Sequence, residues 1–97
     1  MEMILKSKYV HYDKQTVESA IKSALLSSLD QARQRRDYYA NECKIHEQSR
    51  GISSEDFLRD FEAGKLGDDE DLFNWYAAQR AYMLWQQRTE ILGEVLD

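Results

Sequence analysis

Proline is absent from the chain, and only four glycines occur in its 97 residues. Proline removes a backbone donor and collides with the preceding turn; glycine gives up the most backbone freedom on folding. These two residues are what most often stops a helix, so a chain nearly free of them is free to run long helices. Hydrophobic residues make up 42% of the sequence and charged residues 32%. The first figure supplies a core, and the second covers a large wetted surface, which argues against global disorder.

Periodicity divides the chain into three helices. From about Thr16 to Gln48, Val17, Ile21 and Ala24 recur at helical spacing. Leu25, Leu29, Ala32, Arg36, Tyr39, Cys43 and His46 continue in alternating steps of four and three. That is a coiled-coil-like seam, weakened at Arg36 and His46. Asp13 or Thr16 is suited to cap its start, and Gly51 to end it. The run Ser53-Ser54-Glu55-Asp56 opens a short second helix, because a serine hydroxyl accepts a free backbone N–H and carboxylates favour the positive helix end. Phe57, Leu58 and Phe61 form its apolar side to about Ala63, and Gly64 suits the left-handed position that follows. The four carboxylates Asp68, Asp69, Glu70 and Asp71 then open a third helix that runs to about Leu96. Trp75, Ala78, Tyr82, Trp85, Thr89, Leu92 and Leu96 make one stripe on it. Phe73, Ala77, Ala81, Leu84, Arg88, Ile91 and Val95 make a second. A helix apolar on two stripes is expected to meet two neighbours.

The resulting fold class is all-α: an antiparallel hairpin of two long helices joined by a short one. Residues 13–97 form a single helical domain, and residues 1–12 an extended or partly ordered arm. The long helices would measure about 50 and 40 Å, whereas a compact monomer of this length has a radius of gyration of about 13 Å. Such rods own more apolar surface than they can cover for each other. A homodimer, bundling two hairpins, or a complex with another protein is therefore expected.

Charge is unevenly spread. Residues 1–52 carry nine Lys/Arg against seven Asp/Glu, and residues 53–97 carry four against eleven. The acidic second half repels nucleic acid and attracts a basic partner. The single cysteine has no intrachain disulfide partner. Neither a signal peptide nor an apolar run of membrane-spanning length is visible, which leads to the expectation of a cytoplasmic, reduced protein with no membrane partner. No nucleophile–base motif or phosphate-binding glycine loop is present, so no enzymatic activity and no cofactor are expected.

Four local patterns invite a sharper chemistry and lose it on inspection. Cys43 and His46 share a helix face, yet a metal would need further ligands, and the only other histidine is His11. Gly64-Lys65-Leu66-Gly67 has the spacing of a nucleotide-backbone clamp, but the carboxylates directly after it repel phosphate. Arg33, Arg35 and Arg36 read as a solvated face with Asp30 and Asp37 nearby; nucleic-acid binding through them and through Lys6 and Lys8 is the weakest alternative. Asp68 to Asp71 lack the alternate-position ligands and sixth-position glycine of a calcium loop, and read as a helix start.

The string from Gly51-Ile52-Ser53-Ser54-Glu55-Asp56-Phe57 through Phe61-Glu62-Ala63-Gly64-Lys65-Leu66-Gly67-Asp68-Asp69-Glu70-Asp71 to Phe73-Asn74-Trp75 resembles a pattern in small helical antitoxin proteins of bacterial and archaeal toxin–antitoxin operons. Asn74 departs from the acidic residue common there, and the first 15 residues match no part of the pattern. The resemblance implies an antitoxin-like protein that neutralises a ribonuclease-like toxin encoded beside it, and the acidic second half makes a basic one the expected partner. The expected partner-binding residues are Phe73, Trp75, Tyr76, Tyr82 and Trp85 on the aromatic helix, with Asp68, Asp69, Glu70 and Asp71 steering the basic surface. A purely self-assembling structural protein is the rival reading.

Overall fold

Capping chemistry fixes the helix ends. The computed structural model describes residues 11–97. Asp13 is extended, and its carboxylate accepts the Thr16 amide at 2.8 Å and the Thr16 hydroxyl at 3.1 Å. Those bonds, the amide first, hold the Asp13 carboxyl below its ordinary range. Helix α1 then runs Lys14–Arg50, two residues longer at each end than the periodicity predicts. It stops where Gly51 turns left-handed at φ 71° and donates its N–H to the Glu47 carbonyl at 2.8 Å.

Helix α2, Ser54–Glu62, starts from Ser53, whose hydroxyl accepts the Asp56 amide at 3.1 Å. It ends in a paired-hydrogen-bond stop: the Gly64 N–H bonds to the Phe61 carbonyl and the Lys65 N–H to the Asp60 carbonyl, both at 3.1 Å, with Gly64 at φ 72°. Helix α3 is Glu70–Leu96. Its start corrects the sequence reading. Asp69 is the cap, accepting the Asp71 amide at 3.2 Å, and Asp68 precedes it, so only Glu70 and Asp71 occupy the first turn.

The described residues form three helices and no strand, and α1 and α3 pack along each other as a hairpin with α2 at the closed end. The described chain measures 58 × 22 × 21 Å, with a radius of gyration of 19.2 Å. A compact domain of this length would have about 13 Å, so the molecule is a rod. The arm expected over residues 1–12 lies outside the described residues except for His11 and Tyr12, which are exposed and non-helical.

The α1 seam faces inward as its spacing predicts. Leu29, Ala32 and Cys43 are buried; Val17, Ile21, Leu25, Arg36, Tyr39 and His46 are half-buried. Ala24 falls outside the seam and is exposed. On α3 the first stripe faces α1: Trp75 and Ala78 are buried, and Tyr82, Trp85, Thr89, Leu92 and Leu96 are half-buried. The second stripe faces solvent. Phe73, Ala77, Leu84, Arg88 and Ile91 are exposed, with only Ala81 and Val95 partly covered. No helix among the described residues is long and apolar enough to cross a membrane.

Candidate partner-binding surface

The closed end of the hairpin is organised around Trp75. Its indole is stacked on Phe57 at 3.9 Å between ring centroids, with the planes 5° apart, and His46 stacks on it at 5.5 Å and 10°. One aromatic from each helix therefore contributes to a single pile. The indole N–H donates to the Ser54 hydroxyl at 2.8 Å, and the Ser54 amide donates to the Glu47 carboxylate at 2.7 Å. Trp75 and Phe57 are both 0% exposed.

This burial corrects one expected site residue. Trp75 is 0% exposed and so presents no surface for a partner in this structure; it supports the surface from beneath. One of the two tryptophans of the stripe is therefore core, and the other, Trp85, is half-buried. His46 is likewise occupied with Trp75, and Cys43 is buried against Gln79, with its thiol 3.4 Å from the amide oxygen. Among the described residues no three His, Cys, Asp or Glu side chains come together as metal ligands.

Cys43 borders a groove of about 430 Å³ with Ala40, Glu47, Ser53, Ser54, Glu55, Gln79 and Tyr82. Burial pushes its thiol above the ordinary value; the Ser54 hydrogen bond opposes this, and the Glu47 and Glu42 carboxylates add to it. A thiol raised in this way holds little thiolate near neutral pH, and the thiolate is the reacting species. Cys43 is accordingly expected to react with a thiol-exchange reagent at least tenfold more slowly in the native protein than in denaturant. Equal rates in the two states would show that the groove does not shelter it.

Three aromatics of the closed end do reach solvent. Phe61 of α2 stacks on Tyr76 of α3 at 4.7 Å and meets Phe73 edge-on at 5.3 Å. Phe61 and Tyr76 are half-buried, and Phe73 is 50% exposed. The chain segment that leads into them is acidic. Residues 50–71 contain eight Asp/Glu against Arg50, Arg59 and Lys65. Arg50 pairs with Asp69 at 3.5 Å, and Arg59 with Asp56 at 3.1 Å and Asp60 at 4.0 Å. Such solvent-exposed pairs hold little energy and leave the end strongly negative. Asp68, Asp69, Glu70 and Asp71 are all exposed. The structure thus brings Phe73 and Tyr76 together with the four carboxylates at one end of the rod. It adds Phe61, which the sequence reading assigned only to the apolar side of α2.

Tyr82 and Trp85 lie further along, half-buried towards α1. Trp85 has the Arg35 guanidinium 4.9 Å and the Arg88 guanidinium 4.8 Å from its ring centroid. Within the basic cluster, Arg35 is therefore engaged with an aromatic face. Arg36 pairs with Asp37 at 3.0 Å, and Asp30 bonds to Gln34 at 2.9 Å.

Comparison with protein-family models, with curated proteins and with solved structures finds no match for this chain.

Proposed function

We propose that the chain is a non-catalytic interaction module whose acidic closed end binds a basic partner protein, in the manner of an antitoxin neutralising a toxin. The observation that carries this reading is the half-exposed Phe61–Phe73–Tyr76 cluster at the end of the rod whose chain segment, residues 50–71, carries eight carboxylates. An apolar patch with a charged rim supplies both parts of a docking site: aromatic anchors give affinity, and the surrounding charge steers the approach. The antitoxin-like part of the proposal rests on the residue pattern from Gly51 to Trp75 alone. Neutralisation would be steric, with the closed end covering the toxin's working surface.

The test is co-expression with the protein encoded beside this chain, followed by titration of the purified pair. The variant Asp68→Asn/Asp69→Asn/Glu70→Gln/Asp71→Asn removes four charges and keeps a capping side chain at position 69. It is expected to weaken binding at least tenfold, mostly through slower association, and to flatten the salt dependence. Absence of a complex, or an affinity indifferent to both salt and the four substitutions, would reject the reading.

A further inference from the structure

The exposed stripe of α3 is complementary to itself when two copies run antiparallel. It is headed by Glu70 and continues through Phe73, Ala77, the pair Arg80/Ala81, Leu84, Arg88 and Ile91, in steps of three and four. Phe73, Leu84 and Ile91 are 50%, 42% and 51% exposed, so the described residues leave about half of each side chain uncovered. From Glu70 to Ile91 the row spans about 32 Å of helix.

A twofold axis between Arg80 and Ala81 sets residues across from one another in a definite order. Ala77 then lies opposite Leu84 of a second copy, so a small side chain meets a large one at both symmetric positions. Phe73 lies opposite Arg88. Glu70 lies opposite Ile91, about one turn from Arg88, so the carboxylate at the head of each row faces the cation near the foot of the other. The Arg88 guanidinium lies over the Trp85 ring at 4.8 Å from its centroid, and an arginine so placed can still donate to a carboxylate. A parallel pair would instead set Glu70 against Glu70 and Arg88 against Arg88. Both arrangements bring the two Arg80 side chains near each other, but only the antiparallel one adds the Glu70–Arg88 attractions, so charge favours it, as do the opposed helix dipoles.

We infer that the outer face of α3 is a homodimer interface, in which two copies pair antiparallel through Phe73, Ala77, Leu84 and Ile91 and are held in register by reciprocal Glu70–Arg88 pairs. The arrangement places the two closed ends at opposite extremities of the dimer, with Phe61, Tyr76, Asp68, Asp69 and Asp71 outside the paired row. The interface shares Phe73 and Glu70 with the proposed partner-binding end but is centred on Leu84 and Ile91, so Leu84→Asp tests it without altering that end. A single helix pair of this length is at the small end of stable interfaces, so the dimer should exchange, with micromolar affinity.

Sedimentation equilibrium of the full chain from about 1 to 200 μM tests it. The wild-type chain should show a monomer–dimer equilibrium within that range. Leu84→Asp should remain monomeric throughout, with an unchanged circular-dichroism spectrum because the residue is exposed in the hairpin. Glu70→Arg and Arg88→Glu should each weaken dimerisation about tenfold, since symmetry makes every substitution act twice, and their combination should restore it to within about threefold. A chain still monomeric at the highest concentration overturns the inference. So does a dimer indifferent to Leu84→Asp, or a double reversal that rescues nothing.

Discussion

Replacing Trp75 with alanine is expected to destabilise the protein by about 3–5 kcal/mol, the cost typical of emptying a large buried aromatic site. A domain of this size has a total stability on the order of 5–15 kcal/mol, so the loss takes much of it. The cause is more than lost area. Trp75 is the middle of the Phe57–Trp75–His46 pile and gives its N–H to Ser54, the first residue of α2. Truncation leaves a cavity bordered by all three helices and an unpartnered hydroxyl at the entry of α2. Trp75→Phe separates the two effects. It keeps most of the stack and loses only the indole donor, for an expected cost of about 1–3 kcal/mol. Urea titration followed by far-ultraviolet circular dichroism measures both. A Trp75→Ala shift under about 1 kcal/mol would mean that the closed end is not the stability centre of the hairpin.

The boundaries of the elements were legible because they are local chemistry. Asp13, Ser53, Gly51 and Gly64 act within three or four residues of themselves, and each sits where its side chain or its φ suggests. Asp69 shows the limit of that reading: any of four consecutive carboxylates was able to cap α3, and the run alone does not choose among them. The α1 seam was legible too, since one apolar row on a helix has one direction to face.

Helix α3 was not settled by its own sequence. Two apolar rows give two inward faces of similar merit, and the decision belongs to α1. Helix α1 presents Ala32, Ala40 and Cys43, small residues that leave room for bulk from the facing helix. Ala40 and Cys43 border the same groove as Tyr82 and Gln79. The aromatic row therefore turns inward and takes Trp75 with it, and the row of Phe73, Leu84 and Ile91 is left outside. His46 misleads for a related reason. Its spacing from Cys43 suggests ligands, but its actual neighbour is an indole 29 positions away in the chain, and no local pattern announces such a contact.

Phe57→Ala is expected to cost about as much as Trp75→Ala, about 3–5 kcal/mol, yet to fail differently. Helix α2 has only nine residues, too few to persist without docking, and Phe57 is its one fully buried apolar side chain. Without it α2 should detach and melt, exposing one face of Trp75 while α1 and α3 still pair along the rest of the rod. In a Trp85→Phe background, Trp75 emission should then shift to the red at denaturant concentrations where the long helices remain folded. Because Phe57 and Trp75 stack at 3.9 Å, the double variant should lose less than the sum of the two single losses, by about 0.5–3 kcal/mol. The binding surface should fail along with α2. Phe61 sits on that helix and is held over Tyr76 and Phe73 only while Phe57 anchors it. Phe57→Ala should therefore abolish partner capture without removing a single carboxylate. If capture survives in the variant with α2 demonstrably melted, the acidic end binds through charge alone, and the aromatic cluster has no part in recognition.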